Sequence, residues 1–348
     1  MGIDEANQPP ERGGFRYPLY RRNDRTLPPE WCGNGYVWDI DNTYLITEYE
    51  GIRDLIRIRF EEAIDKKPVP GAVSLLTGIR RHATEEQRPP IHFVSASPHA
   101  MRETLERRML LDGVVHDGIA FRDFSKLRYL RDIFGYKIAA LLTLRLEQPR
   151  GLRECLFGDD REHDPWVYSI YTRICAGTLR GKPLYRALRD HGLRRSSSRY
   201  GVALAADLPE HDPVDWVFIR RLRVKERDAA PTEGAGAEVD TESDDFESED
   251  TVPERRVEDL DPRVLFVDDY GQAAAVLHAA SRLHERDLRA VLEAVLEAGQ
   301  GQAPGALLEQ SEVVSRLPDG AAATTLELLE KIRAEESARE ETAAQEGT

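Results

Sequence analysis

The apolar run Tyr36-Val37-Trp38 ends in Asp39-Ile40-Asp41-Asn42-Thr43, so a strand suited to burial stops at two carboxylates separated by one residue. Side chains alternate with period two along extended backbone. Asp39 and Asp41 therefore leave the strand end on one side and Ile40 on the other. In such a pair one carboxylate can attack phosphorus while its neighbour manages the proton. A carboxylate is a weak nucleophile toward an anionic phosphoryl group unless a hard cation screens the repulsion, so this chemistry needs Mg²⁺ and further oxygen ligands. More acids are then expected downstream.

They are found in Gly158-Asp159-Asp160-Arg161-Glu162-His163-Asp164, directly after the strand-like Glu154-Cys155-Leu156-Phe157. Between the two acidic clusters, Ile91-His92-Phe93-Val94 runs into Ser95-Ala96-Ser97-Pro98, a buried strand ending in hydroxyls able to bind a phosphoryl oxygen. Lys137 stands in Phe134-Gly135-Tyr136-Lys137-Ile138, at the expected start of a helix before the Glu154–Phe157 strand. Its ammonium would neutralise the phosphoryl group and the attacking carboxylate. Lys126 competes with Lys137 for this role, and a lone lysine is usually a solvated surface group.

The order Asp-x-Asp-x-Thr, strand-terminal Ser, helix-initial Lys and Gly-Asp-Asp with a later Asp, over about 125 residues, resembles the haloacid dehalogenase superfamily of phosphohydrolases. A narrower resemblance lies in Val94-Ser95-Ala96-Ser97-Pro98, in Gly158-Asp159-Asp160 followed by Asp164-Pro165-Trp166-Val167-Tyr168, and in Asp215-Trp216-Val217-Phe218-Ile219-Arg220. These segments are similar to the actin-patch-associated phosphatidate phosphatase catalytic domain family. The resemblance covers roughly residues 33 to 285. It implies Asp39 as nucleophile, forming an aspartyl-phosphate, and Asp41 as the acid that protonates the leaving oxygen and then the base that activates water. It implies Mg²⁺ held by Asp39, the backbone carbonyl of Asp41 and Asp159, with Asp164 or Asp160 completing or orienting the shell, and Ser95 and Lys137 on the transferring phosphoryl. Asn42 stands where relatives often carry Asp, a departure that removes no catalytic group but weakens the implied substrate assignment; Ala96 stands where many superfamily members carry a polar residue, which leaves Ser95 and Ser97 both open as the phosphate-binding hydroxyl.

Plainer readings exist for each segment. Asp39 to Glu50 places oxygen donors at four positions of a calcium loop, but Tyr44 occupies the sixth position, which needs Gly, and no helical pattern precedes it. Asp159 and Asp160 alone suit an exposed turn or a helix cap; their place after an apolar strand favours a metal site. Ser97-Pro98 fits a helix N-cap followed by Pro at the first helical position, ahead of Met101, Leu105 and Met109. That assigns Ser97 to capping and Ser95 to phosphate. The nine His have no zinc-like spacing, and the three Cys indicate no disulfide framework.

The net charge of −15 at first suggests an acidic protein that avoids nucleic acid and anionic membranes. Its source is local. Residues 226–250 hold eleven acids and one Arg, a net −10, which leaves −5 for the remainder. Such a stretch lacks the apolar surface to order itself and reads as an acidic disordered insertion over 226–257. Basic stretches, Arg194-Arg195 with Arg199 and Arg220-Arg221 with Arg223, suit anionic headgroups, although arginines scattered on solvated faces are commoner. No apolar run approaches the roughly 20 residues of a bilayer span, so a cytoplasmic protein with at most peripheral membrane contact is expected.

Residues 1–32, with Pro9-Pro10, Gly13-Gly14 and Pro28-Pro29, read as a flexible arm. Residues 33–285 read as the phosphatase domain, and residues 286–348 as a helical extension whose polar end from Ala334 frays. Only about 45 residues, including the helical pattern Ile52, Leu55, Ile56, Ile58 and Phe60, separate Thr43 from the Ile91 strand. That is too few for a large cap and implies an open site. The expected fold is a haloacid-dehalogenase-like Rossmannoid α/β sandwich: a mostly parallel sheet, helices on both faces, a minimal cap and the site at the carboxyl ends of the strands. The expected activity is Mg²⁺-dependent phosphomonoester hydrolysis, with phosphatidate the substrate implied by the resemblance. Rivals are a protein or nucleic-acid-end phosphatase of the same fold, and a scaffold recruiting protein partners through the acidic insertion or helical tail. No specific nucleic-acid binding is expected.

Overall fold

The computed structural model describes residues 8–46, 66–84, 86–161, 163–222, 256–301 and 303–346. The helical pattern at Ile52–Phe60 and nearly all of the acidic stretch expected at 226–257 lie outside them. The strands are β1 (Leu19–Asn23), β2 (Cys32–Trp38), β3 (Ile91–Pro98), β4 (Gly118–Arg122), β5 (Gly151–Asp159), β6 (Val214–Arg220) and β7 (Val264–Val267), in the spatial order β1-β4-β3-β2-β5-β6-β7. β1 runs antiparallel to β4 and the remaining neighbours pair in parallel. This is the α/β Rossmannoid architecture expected. Without β1 the order is that of a doubly wound sheet, in which the chain winds outward in both directions from β2. Ligands of such sheets bind at the carboxyl ends of the strands, where the order reverses. Asp39 and Asp159 follow or end the two strands that flank this point, β2 and β5.

Helices cover both faces, as a mostly parallel sheet of nearly continuous apolar strands requires. On one face lie α1 (Ala72–Arg81), α2 (Arg102–Leu111), α7 (Tyr270–Ala279), α8 (Glu285–Glu297) and the later α9 (Ser311–Val314) and α10 (Ala321–Glu346). Trp38, Phe157 and Phe218 belong to that core, with the Trp38 and Phe157 rings stacked 4.0 Å apart. On the other face lie α3 (Ile133–Glu147), α4 (Asp164–Cys175), α5 (Gly181–Asp190) and α6 (Arg195–Asp207), packed on Val37, Leu156, Val217 and Ile219. The two cores take alternate residues of the same strands, the direct result of the two-residue period.

The amino-terminal stretch departs from the expected flexible arm. Residues 19–23 form β1 at the edge of the sheet, with Leu19 opposite Arg122 and Asn23 opposite Gly118. Phe15, Tyr17 and Leu19 alternate onto one side; Tyr17 is buried and packs with Phe15, Tyr129 and Tyr200. The apolar period holds the segment down despite its Pro, Gly and Arg content. At the other end Leu329 and Ile332 of α10 are buried in the first core, and the helix continues from Ala334 to Glu346. Its Ala- and Glu-rich sequence favours that conformation, and Glu335 pairs with Arg289 at 2.7 Å. No described helix is long and apolar enough to cross a membrane.

Candidate active site

The loop after β2 is tied tightly to the sheet. The Asp39 amide extends the parallel ladder by donating to the Phe157 carbonyl at 2.9 Å, and the Tyr44 and Leu45 amides both donate to the Ile40 carbonyl at 2.9 Å. Asn42 takes the left-handed conformation with φ 57°, which Asn tolerates better than most residues. Ile40 turns into the hydrophobic core while Asp39 and Asp41, both buried, face the opposite way. The alternation read from the sequence is present.

Three carboxylates converge from three elements: Asp39 after β2, Asp159 at the end of β5, and Asp164 at the first position of α4. Each offers an oxygen, and these atoms lie within 4.8 Å of one another. All three side chains are buried. Gly158 makes this approach feasible: a Cβ there would stand 2.5 Å from Asp164 Oδ2 and 2.8 Å from the Tyr168 ring. Lys137, in the second turn of α3, is 1% exposed; its Nζ lies 3.0 Å from Asp39 Oδ1 and also contacts Asp164 Oδ1. Asp159 accepts from the Arg161 amide at 2.8 Å and from the Thr43 hydroxyl at 3.4 Å. Like charges so close are costly in a buried site unless a cation compensates them. An all-oxygen donor set on rigid backbone suits a hard divalent ion.

Asp160 is placed differently from the sequence expectation of a metal ligand. The next residue along an extended chain points the other way, and its Oδ1 accepts from the Leu222 amide at 2.9 Å, binding the end of β5 to the end of β6. Lys126 is exposed on the loop after β4, so of the two competing lysines only Lys137 reaches the carboxylates. Ser97 also departs from its expected role as a helix cap. β3 runs through Pro98, the short 3-10 turn after it has no side-chain cap, and the Ser97 hydroxyl donates to Asp41 Oδ2 at 2.9 Å. Ser95 is fully buried and its Oγ accepts from the Ser97 amide at 3.1 Å. Both hydroxyls thus lie on the side of β3 that faces the Asp39–Thr43 loop.

Sequence reasoning assigns no role at this site to four further residues, one of which, Arg220, it names only as part of a family-like strand and a basic stretch. Residues 35–179 match the family model described as phosphatidate phosphatase APP1, catalytic domain. The resemblance to this haloacid-dehalogenase-like family is thereby established for that stretch, which holds Asp39, Asp41, Ser95, Ser97, Lys137, Asp159, Asp160 and Asp164. Neither the curated proteins nor the solved structures gave a match. Two of the four additional residues lie beyond the APP1 stretch and hold its loop from outside. Arg220, the last residue of β6 and 1% exposed, donates through Nε to the Asn42 carbonyl at 2.8 Å. The Tyr270 hydroxyl, from the first position of α7, donates to the Thr43 carbonyl at 2.6 Å. Burial pushes the Tyr270 phenol well above its ordinary pKa, with nearby Asp159 and Asp39 adding to the shift and Arg220 opposing it, so it remains a donor. The other two lie within the APP1 stretch: Lys66, whose Nζ is 3.9 Å from Asp41 Oδ1, and Arg122, which donates to the Ala96 carbonyl at 3.3 Å. The Ile-Arg pair ending β6 was a signal for Arg220; nothing local marks Tyr270.

Proposed function

We propose that the protein is a Mg²⁺-dependent phosphomonoester hydrolase acting through an aspartyl-phosphate, with phosphatidate as its substrate. The observation that carries this reading is the convergence of Asp39, Asp159 and Asp164 at the switch point of the sheet, with Lys137 between two of them. The match to the APP1 catalytic domain supports the substrate class. The three carboxylates and the Asp41 backbone carbonyl would hold Mg²⁺, which when bound supplies charge neutralisation for the phosphoryl oxygens.

Asp39 attacks phosphorus, forming a bond from its carboxylate oxygen as the bond to the leaving oxygen breaks. Asp41 gives its proton to that oxygen, and the Ser97 hydroxyl fixes the carboxyl in place. Water then attacks phosphorus, Asp41 takes its proton, and the Asp39–phosphorus bond breaks to release phosphate and restore the carboxylate. Lys137 holds Asp39 in position and offsets negative charge; Ser95 contributes at the phosphoryl oxygens. Positioning and charge neutralisation supply most of the catalysis in this reaction class.

The test is phosphate release from a panel of phosphatidate, phosphopeptides, phosphorylated oligonucleotides and sugar phosphates, with Asp39→Asn and Asp41→Asn as controls. The reading predicts Mg²⁺-dependent release that is greatest with phosphatidate and lost in both variants. Preference for a phosphopeptide or oligonucleotide would replace the substrate class. No release from any member by folded, Mg²⁺-bound protein would favour a scaffold.

A further inference from the structure

The end of the sheet that carries the acidic centre also carries a concentration of cations that the chemistry does not use. The loop between β4 and α3 presents Lys126, Arg128 and Arg131, all exposed; the turn into α6 presents Arg194, Arg195 and Arg199, of which Arg194 is half-buried and the others exposed. These two segments are held side by side. The Tyr129 hydroxyl lies 3.2 Å from Ser196 Oγ, and Ser197 donates to the Asp132 carboxylate that caps α3. His191 stacks on Phe134 at 4.6 Å and approaches Trp166 at 6.1 Å. Asp132 and Phe134 stand at the start of the helix that carries Lys137, five residues or about 7.5 Å along the axis from Asp132. Trp166, half-buried, is two residues after Asp164. The cationic segments therefore border the site.

Many described arginines are held in ion pairs and these six cations are not; Arg16, Arg107, Arg150 and Arg186 are also without one among the described residues, so what sets the six apart is their position beside the site. Arg12, Arg81, Arg102, Arg108, Arg153, Arg263 and Arg289 each pair with an Asp or Glu. None of the six rim cations lies within ion-pair distance of a described acid, although Arg194 is near enough to Asp132 to interact with it electrostatically. The acids nearest in sequence are Asp123, half-buried, Asp132, buried and engaged by Ser197 and the Gly135 amide, and the exposed Asp190. Six cations on two adjoining segments, with few acids beside them, produce a local positive field despite the acidic total.

We infer that this rim docks the catalytic face on an anionic lipid bilayer, with Trp166 at the headgroup level. The inference rests on the phosphatidate reading, since such a substrate displays its phosphate in the bilayer plane and an open site must be brought down to it. Juxtamembrane Lys and Arg side chains each strengthen attachment to anionic leaflets about fivefold, and the effect fades within a Debye length. The indole of a half-buried Trp is suited to the membrane interface.

The full-length protein is tested by sedimentation with phosphatidylcholine vesicles, with and without phosphatidylserine, at low and high salt. Wild type and Arg194→Gln/Arg195→Gln are compared, and hydrolysis of a short-chain, water-soluble phosphatidate is measured in parallel. Expected are binding that requires phosphatidylserine and weakens with salt, about 25-fold weaker partitioning for the double variant, and unchanged turnover of the soluble substrate. A second double variant, Arg128→Gln/Arg131→Gln, should weaken binding similarly. Equal binding to neutral vesicles, or equal binding by wild type and both variants, overturns the docking surface. Tighter binding to a duplex oligonucleotide than to phosphatidylserine vesicles overturns the lipid assignment. Vesicle binding that follows the expected pattern, without turnover of the soluble phosphatidate, supports the surface and refutes the substrate reading.

Discussion

Replacing Gly158 by Ala perturbs the site through one methyl group. The new Cβ would lie 2.5 Å from Asp164 Oδ2 and 2.8 Å from both Asp164 Cβ and Tyr168 Cε2, whereas ordinary contact begins at 3.4 Å. Relief requires the first turn of α4 to retreat by about 0.9 Å at the carboxylate. That turn cannot move freely, because the Tyr168 hydroxyl donates to the Phe157 carbonyl at 3.1 Å and Asp164 is held by Lys137. Overpacking of this kind costs about 1–3 kcal/mol of stability, and a displacement near 1 Å in a catalytic constellation costs about 10²-fold in rate. Urea denaturation measures the first quantity and phosphate release the second, with Mg²⁺ titration by calorimetry to detect weakened binding. A variant with wild-type stability, Mg²⁺ affinity and rate would refute the argument that Gly158 sets the approach of Asp164.

Other changes separate holding the loop from forming the metal site. Tyr270→Phe and Arg220→Lys should each lower kcat at least tenfold with a smaller change in KM, and cost about 1–3 kcal/mol in denaturation for the buried carbonyl left without its donor. An equal loss of rate in a variant of the distant Tyr171 would show that destabilisation alone is responsible. Asp159→Asn should abolish Mg²⁺ binding in calorimetry, whereas Asp160→Asn should leave it within a few-fold, because Asp160 faces Leu222. Burial pushes the His92 imidazole down to about 4 from its ordinary 6.5, with neighbouring Asp117 opposing the shift. The unfolded chain then takes up the proton first, so this stability contribution is complete above pH 6.5. It is lost as pH falls toward 4, by about 3 kcal/mol in total. His92→Gln should flatten that part of the stability profile, measured by denaturation at several pH values.

The site's acidic half was legible because its determinants are local. A two-residue period and an apolar strand place Asp39 and Asp41 together, and a second such strand places Asp159; the same period turns Asp160 away, which the reading of Asp160 as a metal ligand overlooked. What escaped depends on distant partners. The role of Ser97 turned on Asp41, 56 residues away, while the adjacent Pro98 imitated a helix start. Arg220 and Tyr270 reach the loop across 178 and 227 residues, and no spacing in the sequence encodes those encounters. β1 was hidden differently. Phe15, Tyr17 and Leu19 do alternate, but surrounding Pro, Gly and Arg gave the stretch the composition of an arm, and its partner strand β4 lies about 100 residues on.

The most direct test of the account is mass mapping of rapidly quenched Asp41→Asn protein after mixing with Mg²⁺ and an aryl phosphate, whose leaving group needs no protonation. Asp39 should form its acyl-phosphate but lose it slowly without the base that activates water. The account predicts one phosphoryl group on the peptide containing Asp39, absent when Mg²⁺ is omitted. A phosphoryl group on another residue, or phosphate release that persists in Asp39→Asn, would contradict it.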